Sequence, residues 1–146
     1  MPDTVTVRPY ADHDLGGVLE LLRAALGETP VLKRTPELFA WKHFNNPFGR
    51  SILLVAEAEG TIAGLRAFMR WELMTADGTT LRCVRAVDTA THPEFQRRGL
   101  AKALLLKGFH KFALRGSAPI NVLQRPVDNE GCAHLAEYGL AGEILC

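Results

Sequence analysis

The chain has almost no charge imbalance: 17 Lys and Arg face 16 Asp and Glu, a formal net charge of +1. Nucleic-acid binders carry a basic excess or stripe. The one tight basic cluster here is Arg97-Arg98, so no nucleic-acid partner is expected. No apolar run is long enough to span a bilayer, so no membrane partner is expected either. Met1-Pro2-Asp3-Thr4 lacks the basic-then-apolar order of a secretory signal. Cysteine is scarce. Cys83, Cys132 and Cys146 are odd in number, and no pair has metal-ligand spacing. They read as reduced, mostly packing thiols of a cytoplasmic protein, with no metal site. Low-complexity tracts and repeats of solenoid period are also absent.

What is present is apolar material in an ordinary proportion. Of 146 residues, 47% are hydrophobic and 23% charged. That is enough to bury a core, and the length suits a single domain over residues 1–146.

The hydrophobic periods predict a mixed order of elements. Thr4 to Arg8 alternates as a strand, and Pro9 limits it. Ala11-Asp12-His13-Asp14 offers caps for a helix carrying Leu15, Val18, Leu19, Leu22 and Leu26, with Gly27 as its stop. Thr35-Pro36-Glu37 opens a second, short helix bearing Leu38, Phe39, Trp41, Lys42 and Phe44. Asn45 to Gly49 is a turn cluster. Strands are predicted over Ile52–Glu57, Thr61 to about Met74, and Thr80–Thr91. Ala58-Glu59-Gly60 and Asp77-Gly78 are the hairpin signals between them. A helix from Gly99 to about Leu114 follows, with Ala101, Leu104, Leu105, Gly108 and Phe112 on one face. Gly116 ends it, Ile120–Leu123 reads as a strand, and about Asp128 to Tyr138 as a last helix. The order is β-α-α-β-β-β-α-β-α, an α/β (α+β) mixed sheet. It lacks the strict alternation of a doubly wound fold. The unit from about 80 to 123 is expected to be a right-handed parallel crossover.

The chemical signal lies at the strand-to-helix junction, Thr91-His92-Pro93-Glu94-Phe95-Gln96-Arg97-Arg98-Gly99-Leu100-Ala101-Lys102. A helix N-terminus offers unbonded N–H groups and the positive end of the helix dipole, which suit phosphate. Gly99 allows close approach to the main chain, and Arg97 and Arg98 add positive charge. The second glycine and the Lys-Ser/Thr of an NTPase phosphate loop are missing.

This junction resembles the signature of the GNAT N-acetyltransferase superfamily: a hydrophobic strand, a proline, then Gln/Arg-x-x-Gly-x-Gly/Ala. Ile52 to Glu57, Gly60 and Ile62-Ala63-Gly64 are similar to its second and third strands. Asp128-Asn129 and Tyr138-Gly139-Leu140 are similar to its last helix and the turn after it. The resemblance implies the GNAT acyl-CoA N-acyltransferase fold. It also implies acetyl transfer from acetyl-CoA, the cosubstrate, to an amine acceptor.

The resemblance implies site residues one by one. Arg97, Arg98, Gly99, Leu100, Ala101 and Lys102 would hold the pyrophosphate. The main chain of Thr89, Ala90 and Thr91 would pair with the pantetheine arm. The family's Asn near the start of the last helix maps onto Asp128 by its count from Gly139 and onto Asn129 by residue type. Catalysis matches less well. The place of the family's thiolate-protonating tyrosine is Leu135, with His134 beside it, and no carboxylate stands near Arg85, where members often carry Glu. Asp88 is the remaining acid of that strand. In an apolar stretch it is paired, with Arg85 or loop amides, or it assists catalysis or orients the acceptor. His92 is a base or an exposed loop residue. Residues 27–48 would build the acceptor side, with Trp41, Phe44 and Phe48 lining a pocket or burying a helix face. Family domains usually add two strands after the last helix. The expectation here is a truncated domain, a fragment of a larger acetyltransferase, or completion of the sheet edge by a homodimer or partner chain. A GNAT-like module that holds acyl-CoA without turnover is the rival to an enzyme.

Overall fold

The computed structural model describes residues 5–113. The strand expected at 120–123, the helix at 128–138, Asp128, Asn129 and two of the three cysteines lie outside them. Within the described residues the order is β1 (Thr6–Pro9), α1 (Leu15–Leu26), α2 (Pro36–His43), β2 (Ile52–Ala58), β3 (Thr61–Met74), β4 (Thr80–Thr91) and α3 (Leu100–Ala113). These are the first seven elements predicted, in sequence. Among the described residues the four strands pair antiparallel, in the order β1-β2-β3-β4.

The turn chemistry explains the boundaries. Glu59 and Gly60 both take positive φ, 52° and 76°, as a two-residue primed hairpin requires. That tight turn lets Ala58 pair with Thr61, one residue beyond the strand end predicted. The Thr35 hydroxyl caps α2 by accepting from the Leu38 N–H, with Pro36 in the first turn. Pro9 belongs to β1 rather than preceding its end, because an edge strand tolerates the missing N–H.

The sheet is covered on both faces. Val18, Leu19, Leu21 and Leu22 of α1 and Phe39 of α2 pack on Leu53, Val55, Leu65 and Ala67. On the other face, Leu104 of α3 packs with Ile52, Leu54, Ala56, Phe68 and Val84. Gly64 lets α3 approach: a Cβ there would lie 3.1 Å from Leu104 Cδ1 and 3.3 Å from Ala56 Cβ. Ala101, expected on the apolar face of α3, is exposed. The face that packs runs instead through Leu100 and Leu104, both buried, at the i, i+4 spacing of one helix side. Cys83 is a buried thiol, and burial pushes its pKa up.

Candidate active site

The two halves of the site are set by two irregularities of β4 and its continuation. The first is a bulge. β3 and β4 pair Ala67 with Val87 and Leu65 with Ala90, so Asp88 and Thr89 together face Arg66. Asp88 is left-handed, φ 47°, the conformation of an extra residue in such a bulge. Asp tolerates it better than most non-glycine residues, at a cost of about 1–2 kcal/mol. The bulge sends Asp88 toward α2, on the same side as Val87. Thr89 goes to the α3 side, where its hydroxyl accepts from Arg66 Nη1 at 2.6 Å.

Asp88 gathers three donor side chains. Its Oδ2 lies 2.9 Å from Lys42 Nζ and 2.9 Å from His43 Nε2. Its Oδ1 has a longer contact, 3.5 Å, to Arg34 Nη1. His43 is fully buried, and its Nδ1 lies 3.0 Å from Ser51 Oγ. An ionised carboxylate only accepts, so Nε2–H donates to Asp88; in the neutral ring Nδ1 then accepts from the Ser51 hydroxyl. The main chain closes the same unit, with the Ser51 N–H donating to the His43 carbonyl at 2.8 Å. Burial by itself would raise the pKa of Asp88. The hydrogen bonds from His43 and Lys42 and their charges outweigh it and hold the value at about 2.

That depression has a testable sign. The folded pKa lies below the ordinary 3.8, so the stabilisation is complete above that value and is lost as pH falls from about 4 to about 2. It is worth about 2–3 kcal/mol at neutral pH. Unfolding free energies from urea titrations between pH 5 and 2 are expected to fall by that amount, and the Asp88→Asn variant to show a flatter profile over the same range.

Asp88 borders a cavity of about 220 Å³ between α1, α2 and the 27–35 segment, walled by Leu19, Leu22, Leu32, Leu38 and Trp41 and carrying Arg34 and Lys42. A neighbouring cavity of about 270 Å³ shares Trp41 and Lys42 and is lined further by Phe48, Met69 and Trp71. Trp41 and Phe48 thus border cavities as expected of an acceptor arm. Phe44 instead packs against Tyr10 and Phe39. A larger cavity, about 510 Å³, lies by the start of α1. There Arg8 donates to both oxygens of Asp14 and to Glu57, and Glu20 adds a further carboxylate to the lining.

The second irregularity is the loop into α3. Phe95 and Leu100 are buried together with Ala58 and Ala63, and the four residues between them are exposed. Arg97 and Gly99 have positive φ, 64° and 74°. Alternation of this kind curls successive N–H groups into an anion-binding concavity. The helix's first bond runs from the Ala103 N–H to the Gly99 carbonyl at 3.0 Å, so the N–H groups of Leu100, Ala101 and Lys102 precede the bonded part of α3. A Cβ on Gly99 would meet nothing within 4 Å. Glycine there suits the positive φ, and no protein atom crowds the position. Arg98 lies over the Phe95 ring, 5.0 Å from its centroid.

Before this loop, the His92 N–H donates to the Ala63 carbonyl at 2.8 Å. Main-chain groups alternate along a strand. Those of Ala90 therefore face β3, and those of Thr89 and Thr91 face the outer edge of β4. His92 is half-buried, and its Nδ1 accepts from the Glu94 N–H, a cap on the short 3-10 turn Pro93–Phe95.

Sequence reasoning found the junction and Asp88 but missed Arg34, His43 and Ser51 and read Lys42 only as part of a helix; the partners of Asp88 are Arg34, Lys42 and His43, not Arg85 or loop amides. A usable signal existed: His43 lies four residues after Phe39, on the buried side of α2, and the acid of an apolar strand needs a partner. Among the described residues no group of His, Cys, Asp and Glu is arranged to hold a metal ion. No helix among them is long and apolar enough to cross a membrane.

A strand edge leading into a curled loop of unbonded amides at a helix start suits a phosphate-bearing ligand. The chain belongs to the GNAT acetyltransferase family, whose acetyltransferase (GNAT) domain model matches residues 6–123. Among curated proteins none matches the chain. Solved structures share the fold at low identity. An acetyltransferase from Trypanosoma brucei is 20% identical, with a TM-score of 0.65 over 96% of this chain and 94% of its own. A predicted acetyltransferase from Clostridium acetobutylicum with acetyl-CoA is 19% identical, with a TM-score of 0.66 over 93% and 89%. The glucosamine-6-phosphate N-acetyltransferase of Arabidopsis thaliana is 17% identical, with a TM-score of 0.65 over 97% and 94%.

Proposed function

We propose that this chain is an N-acetyltransferase that moves an acetyl group from acetyl-CoA to the amine of a small acceptor. The observation that carries the reading is the continuity of two surfaces. The outward main chain of Thr89 and Thr91 leads directly to the amides of residues 97–102, while the bulge between them and Val87 turns Asp88 into the cavity on the opposite side of the strand.

The division of labour follows from the chemistry of each part. Arg97, Arg98, Gly99, Leu100, Ala101 and Lys102 hold the pyrophosphate, mainly through main-chain N–H groups at the positive end of α3. Thr89 and Thr91 supply strand-type bonds to the pantetheine amides, and Ala90 lies between them. The acceptor nitrogen attacks the thioester carbonyl, the C–N bond forms as C–S breaks, and the amine proton is released while the thiol leaves protonated. An acid held at about 2 by hydrogen bonds from His43 and Lys42 is a poor base for an ammonium. Asp88 is therefore an orienting group for the acceptor, and Arg34 and Lys42, by like-charge repulsion, favour the neutral amine that must attack.

Neighbours crystallised with acetyl-CoA, such as the Clostridium acetobutylicum protein, support the cosubstrate. The test is titration with acetyl-CoA followed by thiol release over a panel of amines. Saturable binding with release on at least one amine is the expected result, with Asp88→Asn lowering kcat. Binding without release on any amine would favour a non-catalytic acyl-CoA module, and unchanged kcat in Asp88→Asn would remove Asp88 from the reaction.

A further inference from the structure

We infer that the acceptor is a small α-amino acid with an apolar side chain, held at a polar floor formed together by Asp88, Arg34 and Lys42; this rests on the transferase reading above. The polar floor of the 220 Å³ cavity carries two permanent cations and one carboxylate. Its charges are mutually close but not mutually exhausted. Oδ2 of Asp88 is fully engaged by Lys42 and His43, each at 2.9 Å. Oδ1 has only the 3.5 Å contact to Arg34, which is too long to use its accepting capacity. An acceptor N–H fits that oxygen.

The cations have the complementary surplus. A guanidinium offers five N–H donors and an ammonium three. Among the described residues, Arg34 spends Nε on the Gly27 carbonyl at 3.3 Å and Nη1 on Asp88, with no partner at Nη2. The Lys42 ammonium meets Asp88 alone. One negative charge on the acceptor would balance the floor and take these donors. A planar carboxylate suits the guanidinium fork.

Arg34 is placed for this. Its main chain is fixed at both ends of the peptide unit, with its N–H on Glu28 Oε1 at 2.7 Å and its carbonyl on Arg23 Nη2 at 2.6 Å. The walls supply the rest of the selection. Leu19, Leu22, Leu32, Leu38 and Trp41 surround the polar floor, so an apolar side chain is favoured there. The volume lies below the roughly 300–1,000 Å³ of sites for drug-sized ligands, which points to a small acceptor.

The test compares ligands that differ by one group. Calorimetry on the CoA-saturated chain, where no acetyl transfer occurs, would measure L-leucine against 3-methylbutylamine and 4-methylpentanoate, and L-phenylalanine against 2-phenylethylamine and 3-phenylpropanoate. In at least one set the amino acid is expected to bind ten-fold or more tighter than both its partners. Arg34→Gln and Lys42→Met are each expected to abolish the advantage over the amine while leaving CoA affinity unchanged. Equal binding of acid-bearing and acid-free amines in both sets, or no binding of either amino acid, would overturn the inference. Should a variant fail to fold, the ligand comparison on the unaltered chain still decides. CoA affinity is read independently: if CoA does not bind, the transferase reading fails, and the same comparison without CoA still tests the amino-acid site.

Discussion

Replacing Asp88 by alanine is expected to destabilise the fold by about 3–5 kcal/mol, the range for removing one partner of a buried ion pair. The cost is unequal among the three groups left behind. Lys42 and Arg34 reach solvent in part, with side chains 29% and 14% exposed, and can rehydrate. His43 has no exposure, so its Nε2 loses its only acceptor among the described residues. Leaving such a group unsatisfied costs about 1–3 kcal/mol by itself. Alanine also loses aspartate's tolerance of the left-handed backbone at φ 47°. Asparagine retains an acceptor for His43 and the same backbone tolerance, so Asp88→Asn is expected to cost less than half as much. Since domains are stable by about 5–15 kcal/mol, the alanine variant will be partly unfolded near physiological temperature. Urea midpoints with an unchanged m-value would check the difference. Equal stability of the alanine, asparagine and unaltered chains would mean that Asp88 does not hold this cluster together.

The same residue marks the limit of what the sequence could reveal. Strand pairing was readable because local chemistry specifies it. Glu59-Gly60 and Asp77-Gly78 fix two hairpins, and with them the β2-β3-β4 meander. Thr35 followed by Pro36, and Gly27 at φ 73°, fix helix ends. The loop into α3 was readable for a similar reason, since a proline, two arginines and a glycine in that spacing act through the adjacent main chain. The bulge was not. Alternation from Thr80 to Thr91 places Asp88 on the side of Val84 and Ala86, which faces α3. One extra left-handed residue reverses that orientation and puts the carboxylate against α2. Its partners then lie 45 residues away at His43 and 54 at Arg34. No local pattern couples positions so distant. What the sequence did indicate was a need: an acid in an apolar strand requires compensation. The source of that compensation is tertiary, as is the fact that Arg34, Lys42 and Asp88 share one cavity.

Gly99→Asp is expected to weaken acetyl-CoA binding by about 100-fold, near 2.7 kcal/mol, with little loss of fold stability. The two halves of that expectation come from different observations. A Cβ at Gly99 points into open space, with no protein atom within 4 Å, and aspartate is among the residues that enter left-handed conformations. The folded chain therefore bears about 1 kcal/mol of backbone strain and no clash. The ligand side is different. The new carboxylate would stand at the mouth of α3, beside the N–H groups of Leu100, Ala101 and Lys102. There it would compete for the helix dipole and repel the pyrophosphate. Gly99→Ala introduces the strain without the charge and is expected to lose ten-fold or less, so the pair separates geometry from electrostatics. Calorimetric titration with acetyl-CoA at two salt concentrations would check it. The aspartate penalty should shrink at high salt as the repulsion is screened, whereas the alanine penalty should not. Unaltered affinity in Gly99→Asp would place the pyrophosphate elsewhere, and with it the whole path from Thr89 to the α3 amides.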